Sequence, residues 1–313
     1  MPNAYPTTVT VNVGALSIED VVAVARYGAQ VEIAPAALEE VAATRERVEE
    51  LAQDPTPVYG ISTGFGALAR RHIPEEMRAQ LQLSLVRSHA AGTGPEVEEE
   101  VIRALMLLRL STLCTGRTGV RPVVVETYAK ALNAGIVPVV REYGSLGCSG
   151  DLAPLAHCAL ALLGEGEVRV NGELQDAGEA LAAAGIEPLQ LREKEGLALI
   201  NGTDGMLGQL CLAITDLRAA AKTADIATAM TVEGLLGTLV VFADDLQQLR
   251  PHPGQADAAA NILQVAEGSE ILEAALEEFK KNQVQDAYSV RCAPQVAGGF
   301  RDTLTHTAQV AER

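Results

Sequence analysis

The sequence predicts a mainly α protein: an elongated helical bundle joined to a smaller mixed N-terminal region that carries short strands and functional loops. Three observations support this. From about Gly202 to Leu249 the chain is long, apolar and helix-forming, with charges only every several residues, which suits the middle of a bundle or of an oligomer. Two further segments repeat apolar residues at helical spacing. Strand signals are short and confined to the first two hundred residues. The expected organisation is therefore a mixed region over 1–200 and the first part of a central bundle over 201–313.

Taken in order, Val9, Val11 and Val13 alternate with polar residues and predict a strand. Leu38, Val41, Val48 and Leu51 predict a helix opened by Pro35. A second helix is expected directly after Gly94-Pro95. Glu96, Glu98, Glu99 and Glu100 would lie in its first turns, where the helix dipole favours negative charge, and Val97, Val101, Leu105 and Leu108 would form its buried stripe. Val168 and Val170 precede Asn171-Gly172, the sequence of a two-residue hairpin turn. Thr303 to Arg313 still reads as helix and stops without a capping signal, which predicts a chain cut short.

Composition removes whole classes of function. The 313 residues include 24 basic and 41 acidic side chains, so the formal charge is 24 − 41 = −17. Such a surface repels phosphate backbones and anionic lipid, and neither nucleic acid nor a membrane is an expected partner. Hydrophobic residues make up 48% and aromatics only 3%, so Ala, Leu and Val must fill the core. Five cysteines, without CxxC spacing, argue against a disulfide scaffold or a zinc knuckle. The first basic residue is Arg26, so no charged leader precedes an apolar segment. No predominantly apolar run is expected to reach the ~18 residues that span a bilayer. A reduced, cytoplasmic protein is the expectation.

Common catalytic signatures are missing. There is no GxxxxGK[ST] loop and no HExxH, and the five histidines lack metal-ligand spacing, so neither a metal nor a dissociable cofactor is expected. Gly147-Cys148-Ser149-Gly150-Asp151 resembles a nucleophile elbow, but Asp151 stands where GxSxG needs glycine, and the parallel strands that present such an elbow are absent. A serine hydrolase therefore ranks behind.

The same residues allow other chemistry. Residues 144–157 read as a Gly/Ser turn running into an apolar helix with Asp151 near its start, and a plain turn accounts for that much. In a tight bend, however, the Gly150 amide nitrogen can attack the Cys148 carbonyl carbon, an approach that any Cβ at Gly150 would obstruct. Loss of water closes a five-membered imidazolone. Loss of the Ser149 hydroxyl as a second water leaves an exocyclic methylidene, an electrophile made from three ordinary residues. Helix N-termini aimed at it would favour negative charge developing on the ring.

The run Gly144 to His157 resembles the signature of the aromatic amino-acid ammonia-lyases, nearest to the members that act on histidine. Cys148 departs from the alanine usual there, but contributes only its carbonyl and a small side chain to cyclisation. Four more segments are similar to family motifs and stand in the same order: Val58 to Gly66, Leu85 to Gly92, Leu199 to Thr203, and Gln285 to Arg291.

The resemblance implies removal of ammonia from L-histidine to give trans-urocanate, through a methylidene-imidazolone formed from Cys148-Ser149-Gly150. It implies that Tyr59 takes the β-proton. A phenol titrates near ~10, so that role needs a positive or hydrogen-bonding neighbour. Arg291 would hold the substrate carboxylate through a bidentate pair. Asn201, Gln285 and Tyr288 would hydrogen-bond around the electrophile and the substrate amine. Asp151 would assist ring formation, although a helix N-cap would read identically in sequence. Ser88-His89 is similar to the pair found in histidine-specific members, with His89 bonding the substrate imidazole. Phenylalanine or tyrosine ammonia-lyase and aminomutase activity are the alternatives within the family. Outside it, the alternative is an inactive, lyase-like helical interaction chain. The resemblance also implies a homotetramer, and family members are longer than this chain.

Overall fold

The computed structural model describes residues 5–282 and 285–313, apart from the side chains of Cys148 and of residues 278–282. It is mainly α. Two compact units divide the chain, one ending at Leu212 and the other spanning Ala213–Ala311.

The first unit opens with β1 (Thr8–Val11), α1 (Ile18–Tyr27) and β2 (Gln30–Ile33). The two strands pair in parallel, Val9 opposite Val31. α1 starts at a capping box, in which Ser17 and Asp20 each bond the other's backbone nitrogen, and ends at Gly28 in the left-handed conformation. α2 (Pro35–Gln53) follows, with Pro35 in its first turn as expected. Next come α3 (Glu75–His89), β3 (Thr93–Glu96) and α4 (Glu99–Cys114).

The helix expected directly after Gly94-Pro95 therefore begins later. Thr93–Glu96 pairs instead with a later strand, and Glu96 accepts from Arg169 at 2.8 Å, an attachment formed only in the folded chain. α4 is also more deeply buried than the predicted stripe. Ile102 and Ala104 through Leu110 are all buried, which makes α4 the central helix of this unit. Its Arg103 donates to the carbonyls of Val24 and Leu132.

α5 (Pro122–Asn133), β4 (Ile136–Pro138) and β5 (Arg141–Tyr143) lead to α6 (Leu152–Leu162). β5 is the partner of β3. β6 (Glu167–Val170) and β7 (Glu173–Asp176) form the predicted hairpin, with Asn171 and Gly172 at φ 53° and 80°. They extend an antiparallel sheet in the order β4-β6-β7. α7 (Ala177–Ala183) and α8 (Glu195–Ile200) complete the unit, and α3 packs on both α6 and α8.

α9 (Asp204–Gly234) runs across the unit boundary. The helical stretch expected to reach Leu249 ends here instead. Leu236 adopts φ 55°, and the amides of Leu236 and Gly237 return to the carbonyls of Glu233 and Val232, a Schellman closure. α9 buries one stripe, including Leu212, Ile214, Ala221, Ala229 and Val232, and leaves Ile226 and Met230 exposed. Glu195–Gly234, interrupted at Asn201–Thr203, is long and apolar enough to cross a membrane by length and composition. That corrects the expectation that no predominantly apolar run is long enough, although half of its most apolar window is buried within the fold.

The second unit adds α10 (Asp244–Gln247), α11 (Pro253–Val265), α12 (Glu270–Asn282), α13 (Tyr288–Arg291) and α14 (Ala293–Ala311). α11 packs along α14, and Val232, Phe242, Ala259, Ile262 and Val290 form its core.

Candidate active site

The Cys148-Ser149-Gly150 segment is a tight 3-10 turn over Gly147–Ser149. The Gly150 amide donates to the Gly147 carbonyl at 2.8 Å, and the Gly150 carbonyl accepts from Leu146 at 3.0 Å. Gly150 has φ 118° and ψ 155°, a region closed to residues with a side chain. A Cβ there would also stand 3.3 Å from the Gly202 carbonyl oxygen. The turn thus has the bend and the glycine that ring closure requires, and closure would give up the Gly150–Gly147 bond. These residues fit the electrophile.

Asp151 separates the two readings left open by the sequence. It stands at the N-cap of α6, but its side chain makes no capping bond to that helix. The carboxylate, 1% exposed, accepts instead from Ser145 Oγ at 2.5 Å and from the Met206 amide at 3.0 Å. It therefore lies at the N-terminus of α9, where the helix dipole favours an anion. Ser145 Oγ in turn accepts from the Gly147 amide at 3.1 Å, so the carboxylate supports the turn from behind. A cavity of about 50 Å³ lies beside it, with Ser145, Asp151, Met206 and Gln209 among its lining residues.

Asn201 is exposed at the C-terminus of α8. The next residue, Gly202, accepts the Asp151 amide at 2.7 Å, so Asn201 and the turn are one hydrogen bond apart along the backbone.

Tyr59 is 49% exposed and packs edge-on against Phe65, with centroids 6.0 Å apart. Its loop is tied down by Gln82 of α3, 1% exposed. The Gln82 amide reaches the Gly60 carbonyl at 3.5 Å and accepts from Leu197 of α8 at 3.3 Å.

His89, seven residues on and also in α3, places Nδ1 2.9 Å from the Leu85 carbonyl. A carbonyl only accepts, so Nδ1 donates to it, and Nε2 is the ring's other hydrogen-bonding atom. The segment after His89 is held by His157 of α6, whose Nε2 accepts from the Gly92 amide at 3.1 Å. Burial, with Arg141 adding to it, holds the His157 imidazole below the ordinary histidine range, and this favours the neutral acceptor form.

In the second unit, Arg291 donates to the Gln285 side-chain oxygen and lies over the Tyr288 ring, 5.4 Å from its centroid. The Asp286 carboxylate accepts from the Thr238 amide at 2.9 Å and fixes the approach to α13. The structure thus gathers Gln285, Tyr288 and Arg291 into one cluster, and joins Ser149, Gly150, Asp151 and Asn201 in another.

Sequence reasoning missed Gln82, His157 and Arg109. Arg109 had a signal: it interrupts the apolar run Leu105 to Leu110, and a charge at a core position requires partners.

A family model described as aromatic amino acid lyase matches residues 16–313. The chain is 60% identical over 307 residues to a histidine ammonia-lyase of Streptomyces avermitilis, which covers 98% of this chain and 60% of that protein. Among solved structures, it matches a tyrosine aminomutase from Streptomyces globisporus at TM-score 0.89 and 39% identity, over 97% of this chain and 60% of that one. It also matches a histidine ammonia-lyase from Trypanosoma cruzi at TM-score 0.85 and 36% identity, over 97% and 56%. The chain spans about 60% of the length of curated relatives from two Streptomyces species that it matches. By the extent of these matches, it belongs to the aromatic amino acid lyase family.

Proposed function

We propose that the protein is a carbon–nitrogen lyase that converts L-histidine to trans-urocanate and ammonia. The observation that carries this reading is the Ser149-Gly150 turn, held in a glycine-only conformation and backed by the buried Asp151 carboxylate. The identity to histidine ammonia-lyases across nearly the whole chain supports the substrate.

The reaction breaks the bond from Cα to nitrogen and removes one β-proton. Once formed from Cys148-Ser149-Gly150, the methylidene-imidazolone supplies an electron-poor carbon that makes the substrate amine a better leaving group. The remaining work belongs to ordinary side chains. Tyr59 is the base that accepts the β-proton. Arg291 holds the substrate carboxylate; Gln285 occupies one of its nitrogens, and a guanidinium has donors left for a second partner. Asn201, Gln285 and Tyr288 orient the amine. His89 Nε2 accepts the N–H of the substrate imidazole, which favours histidine over a phenyl or phenol ring. Asp151 assists ring closure by holding Ser145 and the turn. We read the assembled protein as a cytoplasmic homotetramer.

The test uses the full-length, assembled protein. A mass two waters below that of the sequence, with urocanate absorbance appearing on addition of L-histidine, is expected. Ser149→Ala should lose both the second dehydration and turnover. Wild-type rates in that variant would remove the electrophile from the mechanism. The likeness to a tyrosine aminomutase favours one second reading, in which ammonia is returned to the β-carbon. A β-amino acid among the products would select it.

A further inference from the structure

The joint between α8 and α9 holds a buried charge that the reaction described above leaves without a task. Arg109 of α4 is 2% exposed. Its Nη1 donates to the carbonyls of Ala198 at 2.9 Å and Asn201 at 3.2 Å. Its Nε donates to Asp204 Oδ2 at 3.1 Å, and Nη2 donates to the same carboxylate. Thr112, one turn further along α4, donates to Asp204 Oδ1 at 3.2 Å. One guanidinium thus closes the C-terminal end of α8 and pins the first residue of α9.

Stability alone is a poor reason for this arrangement. A buried ion pair costs desolvation that a packed apolar residue avoids, and the positions next to Arg109 in α4, Leu107, Leu108 and Leu110, are all buried leucines. The guanidinium can do what leucine cannot, which is to fix the direction of the Asn201 carbonyl. It also dictates the next residue, because a Cβ on Gly202 would lie 1.7 Å from Nη2. The Gly202 carbonyl then receives the Asp151 amide, and the Asp151 carboxylate receives Ser145 Oγ and the Met206 amide. An unbroken series of bonds connects Arg109 to the turn that makes the electrophile.

We propose that Arg109 is a positioning residue for both ring formation and turnover: it sets the Asn201-Gly202 peptide against which Ser149-Gly150 is held. Arg109 does not reach the reacting atoms and acts through Asn201, Gly202 and Asp204. The inference rests on the lyase reading above.

The experiment compares Arg109→Lys with Arg103→Lys in the full-length protein. Arg103 is a control on the same helix, a guanidinium that bonds the carbonyls of Val24 and Leu132 and has no part in the joint. Lysine keeps the charge but cannot serve two carbonyls and a carboxylate with one planar fork. Arg109→Lys is expected to leave a fraction of the protein without the two-water mass loss. In the ring-bearing fraction, kcat is expected to fall about 10- to 100-fold, the scale set by a small misplacement of reacting groups, with KM little moved. Arg103→Lys should lower the melting temperature while retaining complete mass loss and wild-type kcat. Equal falls in kcat for the two variants at equal stability, or complete mass loss with wild-type kcat in Arg109→Lys, would overturn the proposal. Should Arg109→Lys fail to fold, Thr112→Val removes the lightest bond to Asp204 and decides: a lowered kcat supports positioning, and wild-type kcat overturns it. A wild-type protein with no mass loss and no ammonia release would instead overturn the lyase reading itself, and this inference with it.

Discussion

The backbone amide of Asp151 donates to the carbonyl of Gly202 at 2.7 Å, and this bond fastens the residue after the Cys148-Ser149-Gly150 turn to the joint between α8 and α9. Everything packed around Gly202 therefore acts on the turn. Gly202→Ala places a methyl group 1.7 Å from Arg109 Nη2 and 2.4 Å from Asp204 Oδ2, the two sides of a buried ion pair. Overpacking of this kind costs about 1–3 kcal/mol, and a displaced buried ion pair adds to it. The variant should unfold at lower urea concentration with an unchanged m-value and mature incompletely. An unshifted urea midpoint would contradict the packing described for this joint.

Tyr128 makes a second, independent prediction. Its side chain is fully buried, and its hydroxyl has no hydrogen-bond partner among the described residues. A buried, unsatisfied hydroxyl costs about 1–3 kcal/mol, so Tyr128→Phe keeps the shape and removes the penalty. Stability equal to or above that of the wild type is expected from denaturant unfolding. A clear loss would reveal a partner for the hydroxyl.

The third concerns pH. Burial lowers the His157 pKa below its ordinary 6.5, so between the two values the unfolded chain binds a proton that the folded chain refuses. This contribution to stability is complete above about pH 6.5 and declines as the pH falls through the lowered folded value. The neutral ring is also the form that accepts the Gly92 amide. Melting temperatures recorded between pH 7 and 5 should fall more steeply for the wild type than for His157→Gln. Parallel curves would show that His157 does not couple to folding.

On the proposed mechanism, Tyr59→Phe keeps the edge-on packing against Phe65 and removes only the oxygen. Loss of a general base costs about 10²- to 10⁴-fold in rate, here with KM for L-histidine little changed and the two-water mass loss intact. Steady-state urocanate formation reads the first two and intact mass the third. A rate within two-fold of wild type would reassign the base.

What could be read from the chain follows from the range of the interactions. The hairpin at Asn171-Gly172 was legible because the turn chemistry is held in two adjacent residues. The first turn of α2 was legible for the same reason, through Pro35. The start of α4 was not, because Thr93–Glu96 is drawn into a strand by Arg141–Tyr143, far along the chain. The Ser149-Gly150 segment stood out by residue type. The target of the Asp151 carboxylate did not, since a helix cap and a contact with Met206 call for the same amino acid. Arg109 was visible as a charge in an apolar run, but its partners were not.

On the proposed function, the contact between Asp151 and Met206 also implies an order of maturation during synthesis. The two residues are 55 positions apart, so the backing of the turn is missing while the ribosome has yet to deliver the start of α9. On the reading proposed here, a nascent or prematurely terminated polypeptide lacking that start carries the tripeptide but not the scaffold that condenses it. Chemical maturation would then report that translation has passed this point and that the later segment has docked, an internal check on synthesis that needs no separate maturase.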